Sequence, residues 1–453
     1  MKTFRADLHV HSSHSNKPGY WALRKFNCPE SYSSPEFIYH AARRQGMDYV
    51  TITDHNTING ALEIAHLPGA FVSVEVTAYF PEDGCKVHMV VLNITEETFR
   101  EINRLRKNIY ELVTYLDRDA IPHFIAHPLY AQNEKLSADH FEKMLLLFRV
   151  FETKNGSRAI RYGKFLEKLL EGLTHAKMAL LADKHGMEPC GETPWVKGRV
   201  GGSDDHGGLF IAGAHTAVPE GTTLAGFLDG VAQRRSLPSG EDGDPLVLAH
   251  SLYAITHSYY RQRFAFGRSV STPFIKALLD RFFDSEGERS SFLEKLKLFI
   301  RRTLPDSMDG GADDSFERRL DREAKRLLRD TEFLRGIGAE TKNRKIFAVT
   351  SYLANRMIYF YSERLTRISP TTGFFDLVNS MSTIGLVHLL VSPYYISFHH
   401  QHRGKDLMAE LAGRFFPRRT GEPREKIALF TDTLHEINGV AITIRRLIGT
   451  ARE

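Results

Sequence analysis

The sequence predicts an α/β fold, a parallel barrel of strands wrapped by helices, followed by a mainly helical region. Short β-rich runs alternate with helical stretches from Met1 to about Pro219, the pattern of parallel strands joined by crossover helices. A His, Asp or Glu closes the readable strands, and beyond about residue 245 long helical patterns take over.

One cycle can be justified residue by residue. Ser34 is placed to cap a helix, Pro35 suits its first position, and Glu36 favours its first turn. Phe37, Ile38 and Ala41 supply an apolar face, and Gly46 ends the helix. Asp48 to Thr53 then reads as a buried strand that stops at Asp54-His55. Further strands read at Phe71 to Val76, Val87 to Leu92, Phe124 to Ala126, Arg149 to Phe151 and Arg199 to Gly202. A parallel barrel collects such strand ends on one rim, where catalytic groups sit in this architecture.

In the second half, the charged, Gly-containing stretch Asp306 to Glu317 reads as a surface loop or linker, and Phe316 to Arg335 as an amphipathic helix with a solvated face. The longest apolar stretch, Ile384 to Phe398, is interrupted by His388 and Pro393. It falls short of the ~20 residues that a spanning helix needs, so a buried helix or strand is expected there, and no transmembrane segment.

A chain of 453 residues with 42% apolar and 25% charged composition is globular in class and long enough for two or more domains. Its 60 basic against 55 acidic residues leave a net +5, too mild a balance to imply a stable nucleic-acid complex. Cys28, Cys85 and Cys190 stand apart without a CxxC pair, which argues against a disulfide scaffold or a thiolate zinc site. The first residues, MKTFRADLHVHSSHS, have no apolar signal-peptide core, and the expected setting is the cytoplasm.

His9-x-His11 at the end of a short strand puts both side chains on one side of the extended backbone, because strand side chains alternate with period 2. Two imidazoles can then reach one ion. Alone the pair is a weak signal. It gains weight from the series that follows at strand ends: Asp54-His55, Glu75, His88, His127-Pro128, Glu152 and Asp204-x-His206. Clustered His and carboxylate groups in that number need partners, and metal cations are common ones. Nitrogen and oxygen ligands without thiolates suit zinc, manganese or iron. Two ions about 3.5 to 4 Å apart would activate a water as hydroxide and bind phosphoryl oxygens, which makes phosphoester hydrolysis the natural chemistry.

The order Asp7-Leu8-His9-Val10-His11-Ser12, Thr53-Asp54-His55-Asn56, Glu75, His88, Ala126-His127-Pro128 and Gly202-Ser203-Asp204-Asp205-His206 resembles the motif series of the PHP (polymerase and histidinol phosphatase) family over roughly residues 1 to 220. The resemblance implies a (β/α)7-like barrel. It also implies that His9, His11, Glu75 and Asp204 hold one ion, with Glu75 bridging to a second ion at His88 and His127. A third ion would use His55 and His206 with a ligand from the loop after His11. There this chain carries Asn16 where similar sequences often carry Asp, with His14 as the substitute. The expected cofactors are thus two or three divalent ions, with catalytic weight on Glu75, Asp204 and His206.

Asp7 and Asp54 read as groups that orient imidazoles from behind the ligands. Asn155, in Phe151-Glu152-Thr153-Lys154-Asn155-Gly156, contacts substrate or caps the next helix. Lys17, Arg24, Lys25, Lys154 and Arg158 are candidate phosphate binders, each weighed against an ordinary solvated charge. His40, His66, His123, His140, His175 and His185 lie outside the series and read as structural or surface histidines.

At the C-terminal end, Lys426 to Asp432 reads as a strand, Glu436 to Val440 as a glycine-containing loop, and Ala441 to Arg452 as an amphipathic helix. An ordinary β-turn-α unit accounts for so short a stretch. The stretch also resembles the opening of GT-B glycosyltransferases, which implies a truncated PHP and glycosyltransferase fusion.

The expected organisation is therefore a hydrolase domain at 1–244, a helical region at 245–420 and the start of a GT-B domain at 421–453. The expected activity is hydrolysis of a phosphorylated small molecule or nucleotide by a metal-bound hydroxide. The alternatives are a metal-dependent amidohydrolase, since the same nucleophile attacks a carbonyl, and a non-catalytic regulatory module.

Overall fold

In the N-terminal half, strands and helices alternate. β1 (Thr3–Asp7) leads to α1 (Pro35–Arg44), β2 (Tyr49–Val50), α2 (Asn59–Ile64), β3 (Ser73–Tyr79) and β4 (Lys86–Leu92). Next come α3 (Glu96–Leu105), α4 (Ile109–Arg118), β5 (His123–Ala126), α5 (Ala138–Leu147), β6 (Val150–Asn155), α6 (Ile160–Glu171) and α7 (His175–His185). β7 (Gly198–Gly202), β8 (Ala214–Pro219), α8 (Leu224–Ala232) and β9 (Leu237–Gly240) complete this half. The computed structural model describes residues 3–16, 28–219, 223–264, 316–338, 340–366, 374–416, 443–444 and 448.

Local chemistry explains the boundaries. The Ser34 hydroxyl accepts from the Phe37 amide at the start of α1, Pro35 takes the first position, and Gly46 follows the helix with φ +84°. The strand expected at Asp48 to Thr53 has ladder partners only at Tyr49 and Val50. Its continuation is pinned by Thr53, whose amide donates to the Val10 carbonyl at 2.9 Å and whose hydroxyl accepts from the Val10 amide at 3.0 Å.

The expected continuous parallel barrel is not what forms among the described residues. The strands make two sheets, one ordered β2-β1-β8-β9 and one ordered β3-β4-β5-β6-β7. β3 and β4 pair antiparallel because a short turn joins them, whereas a parallel pair needs a long crossover. β1 with β8, β4 with β5, and β8 with β9 are antiparallel as well. Isolated parallel bridges at Val10–Asp205, Val50–Ala70 and His55–Glu75 link the two sheets, and two of them run through the strand-end motifs. Ala6, Leu8, Val90, Phe124, Val150 and Phe227 form the apolar core between the sheets.

The rest of the described chain is helical: α9 (Pro245–Phe264), α10 (Phe316–Arg329), α11 (Thr331–Gly336), α12 (Lys342–Thr366), α13 (Phe374–His400) and α14 (Lys405–Phe415). The single helix expected from Phe316 to Arg335 is broken at Asp330, whose carboxylate caps α11 by accepting from the Phe333 amide at 2.9 Å. Ile384 to Phe398 lies inside α13, with Pro393 in its interior. Among the described residues, no helix is long and apolar enough to cross a membrane.

Residues 1–415 group into one compact unit and 416–453 into a second. Apart from residues 443, 444 and 448, the strand, loop and helix expected at Lys426 to Arg452 lie outside the described residues, as do Lys17, Arg24 and Lys25. The loop expected at Asp306 to Glu317 lies outside them up to residue 315.

Candidate metal centre

The residues of the motif series converge on fully buried Glu75, which with His88 stands inside a strand and not at its end, because β3 runs on to Tyr79 and β4 starts at Lys86. Its Oε1 lies 2.7 Å from His88 Nδ1 and 3.2 Å from His127 Nε2. Its Oε2 lies 3.2 Å from His9 Nε2, 3.3 Å from His11 Nε2 and 2.9 Å from His55 Nδ1. Asp204 Oδ1 completes the group at 3.6 Å from His9 Nε2, 3.4 Å from His11 Nε2 and 3.6 Å from His206 Nδ1.

The backbone delivers these groups with some strain. β1 runs on through His9 and His11, held by Thr53 on one side and by Asp205 on the other, where the His11 amide donates to the Asp205 carbonyl at 3.1 Å. His127 and Asp204 both adopt left-handed backbone, with φ 27° and 48°. Such conformations cost about 1–3 kcal/mol each and persist where surrounding structure imposes them.

The orientation of the rings follows from what their other nitrogens do. His9 Nδ1 donates to Glu152 Oε1 at 2.9 Å, and His206 Nδ1 donates to the Asp204 carbonyl at 3.0 Å. His11 Nδ1 meets the Ser15 hydroxyl at 3.2 Å. Each ring therefore turns Nε2 inward. His9 Nε2, His11 Nε2, His206 Nε2, His55 Nδ1 and Glu75 Oε2 are all buried, and none of them meets hydrogen-bond geometry. Close polar atoms that do not bond one another are aimed at a common point.

A divalent ion fits that arrangement. Ligand bonds of about 2.0–2.2 Å in tetrahedral or octahedral geometry put neighbouring ligand atoms about 2.8–3.6 Å apart, which covers the spacings above except the 2.7 Å between Glu75 Oε1 and His88 Nδ1. Four overlapping sets of donors lie close enough to hold an ion: His9-His11-Asp204, His9-Glu75-His127, His55-Glu75-His88 and His11-His55-His206.

The charges are strongly coupled. Burial raises the Glu75 carboxyl, but His55, His88 and His9 outweigh it and hold the group well below the usual range. Burial lowers His9, yet Glu75, Glu152 and Asp204 lift it well above the ordinary value. His55 is lowered by burial and raised further by Glu75 and Glu30, ending at about 9. In His88 burial prevails, and its value falls to about 4.

Several expected roles change. Asp7 and Asp54 make no direct hydrogen bond to an imidazole among the described residues. Asp7 accepts from the His9, Ser203 and Ala212 amides and from the Ser203 hydroxyl, so it clamps two backbone segments. Asp54 accepts from the Ser12 amide and from the Ser12 and Ser15 hydroxyls, and reaches His11 only through Ser15.

Asn155 neither caps α6, whose N-cap is Ala159, nor points away from the cluster. Its Nδ2 donates to Glu152 Oε2 at 2.9 Å and to Asp204 Oδ2 at 3.2 Å. Lys154 is turned aside, with Nζ donating to Asp242 Oδ1 at 2.6 Å. His14, the expected third-ion substitute, meets Glu63 at 2.7 Å near the surface. Arg158 does face the cluster, its Nη2 3.7 Å from Asp204 Oδ2.

Sequence reasoning passed over Ser15, Glu30, Tyr130 and His400. Glu30 Oε2 lies 3.6 Å from His55 Nε2. His400 stands in a local run with His399 and His402, which composition does not distinguish from surface histidines.

The chain matches no family model. It is 43% identical over 72 residues to an uncharacterized protein of Methanocaldococcus jannaschii, a match that spans 16% of this chain and 40% of that relative. Among solved structures, PsfC from Pseudomonas syringae aligns over 58% of this chain and 99% of its own, with 15% identity and a TM-score of 0.33. A candidate metal-dependent phosphoesterase from Bifidobacterium adolescentis aligns over 44% of this chain and 87% of its own, with 15% identity and a TM-score of 0.27. An amidohydrolase from Chromobacterium violaceum, with bound sulfate and no metal, gives 17% identity, the same coverages and the same TM-score.

Proposed function

We propose that this chain is a metal-dependent phosphoesterase of the PHP kind that holds two or three divalent ions, zinc, manganese or iron, and hydrolyses a phosphorylated small molecule. One observation carries the reading. The two oxygens of buried Glu75 are divided between two sets of imidazoles, Oε1 with His88 and His127, Oε2 with His9, His11 and His55. A carboxylate so shared suits a bridge between two cations.

His9, His11, Glu75 and Asp204 would hold one ion, Glu75, His88 and His127 a second, and His55 with His206 a third. When bound, such ions supply Lewis acidity toward phosphoryl oxygens and make a water nucleophilic at neutral pH.

The remaining work falls to the chain's own side chains. Glu152 keeps the His9 proton on Nδ1, so that the Nε2 lone pair faces the site. Asn155 ties Glu152 to Asp204 and holds both carboxylates in place. Arg158 places a fixed positive charge at the edge of the cluster, where an anionic ester arrives.

Elemental analysis after reconstitution with zinc, manganese and iron tests the reading. It should find at least two ions per chain, and the loaded protein should hydrolyse p-nitrophenyl phosphate. Fewer than one ion per chain overturns the reading. Metal uptake with turnover of carboxamides and not of phosphate esters points to the amidohydrolase alternative, and uptake with no turnover points to a regulatory module.

A further inference from the structure

We infer that the helical region completes the substrate site: the junction between α13 and α14 walls the cavity beside the cluster, and His400 is a positioning residue that holds Arg158 toward the substrate phosphate. The inference rests on the phosphoesterase reading and adds to it a residue from outside the strand-end motifs.

A cavity of about 330 Å³ opens next to the cluster. His127, Glu152 and Asn155 line its inner side, and His400, Gln401 and Gly404 line it from the junction. A cavity of this size takes a small organic group, here the alcohol portion of an ester whose phosphate meets the cluster.

The junction is bonded to the loop that carries Arg158. Gln401 Nε2 donates to the Ser157 carbonyl at 2.8 Å, and its Oε1 accepts from the Ala159 amide at 2.7 Å. The Gln401 carbonyl accepts from the Tyr162 hydroxyl at 2.6 Å and also from Arg161. Gly404 fits closely, since a Cβ there would meet Tyr162 Cε1 at 2.8 Å and the Leu129 carbonyl at 3.0 Å.

Arg158 is held on two sides. Its guanidinium lies 3.8 Å from the centre of the Tyr130 ring. Its Nη1 lies 3.2 Å from His400 Nδ1 and 3.4 Å from His400 Nε2, and Nε2 lies 2.6 Å from the Tyr130 hydroxyl. With its proton on Nε2, the ring donates to the Tyr130 hydroxyl and leaves Nδ1, the nearer nitrogen, to accept from the guanidinium. Burial, together with Arg158 and Arg403, pushes His400 down to about 2, so it stays neutral and can accept from a guanidinium. With one face on Tyr130 and one nitrogen on His400, the planar fork keeps Nη2 toward Asp204 and presents donors to a phosphoryl oxygen.

The test uses the full-length, metal-loaded chain and four variants: His400→Ala, His400→Gln, Arg158→Gln and Arg158→Gln/His400→Ala. Metal content, affinity for inorganic phosphate by calorimetry, and KM and kcat on p-nitrophenyl phosphate are measured. A hydrogen bond to a charged group is worth enough that His400→Ala should weaken phosphate binding and raise KM roughly 10-fold, with metal content unchanged. His400→Gln, which can accept from Arg158 and donate to Tyr130, should recover most of the loss. The double variant should bind phosphate no worse than Arg158→Gln alone.

A folded His400→Ala with native metal content whose phosphate affinity and KM equal those of wild type overturns the inference, as do additive losses in the double variant. Wild-type protein that holds less than one ion per chain instead overturns the phosphoesterase reading, so the two failures are distinct.

Discussion

His9 Nδ1 lies 2.9 Å from Glu152 Oε1, and both side chains are buried. The second Glu152 oxygen accepts from the His127 amide at 2.8 Å and from Asn155 Nδ2 at 2.9 Å. One carboxylate thus sets the tautomer of a ligand just after β1 and the backbone position of a ligand after β5.

Glu152→Gln would turn its new NH₂ toward one of those donor sets, because both oxygens are already accepting. The expected result is a folded protein whose metal affinity falls roughly 10- to 100-fold, the usual cost of losing a group that orients a ligand. Competition with a chelator of known affinity measures it, and an unchanged affinity would remove Glu152 from the site's design.

Glu75→Gln should abolish turnover more completely than any single His→Ala change. Glu75 presents a separate oxygen to each of two groups of imidazoles, whereas each imidazole turns one nitrogen into the cluster, so loss of the carboxylate disorganises two ions together. The comparison is kcat on a generic phosphate ester together with metal content. Near-native turnover in folded Glu75→Gln protein would sink the bridging role.

Metal uptake should release protons. His9 lies well above the ordinary imidazole value and His55 at about 9, so both carry protons at neutral pH in the absence of metal. Ligands bind deprotonated, so affinity should strengthen as pH rises toward about 9. The sign for stability is opposite. A value raised in the fold stabilises the metal-free chain fully below 6.5, and that stabilisation is lost as pH rises through about 9. Calorimetry in two buffers of different ionisation enthalpy counts the protons, and a count of zero would contradict the assignment.

Gly202→Ala should cost both stability and metal. A Cβ at Gly202 would clash with the His9 Cβ and lie 2.8 Å from the His9 amide nitrogen, so β7 and the segment that carries His9 could no longer approach as closely. Overpacking of this kind costs typically about 1–3 kcal/mol. Denaturant unfolding and metal content should fall together, and a variant that keeps both would show that His9 can shift without consequence.

By itself the sequence determined which side chains gather. His9 and His11 share a side because strand side chains alternate, and His55, His127 and Asp204 were legible because each follows a readable strand, whereas Glu75 stands inside β3, which runs on to Tyr79. Helix α1 was legible for the same local reason, with Ser34, Pro35 and Gly46 all within a few residues of what they control. Tertiary structure alone decided the rest. Whether strands pair parallel or antiparallel depends on neighbours distant in sequence, so the two sheets replaced the continuous barrel. Lys154 and Arg158 are both cationic and only four residues apart, yet Asp242 engages the first while Tyr130 and His400 hold the second at the cluster. The Arg158–His400 contact spans 242 residues. No local spacing encodes it, because it forms only when the helical region packs against the loop after β6.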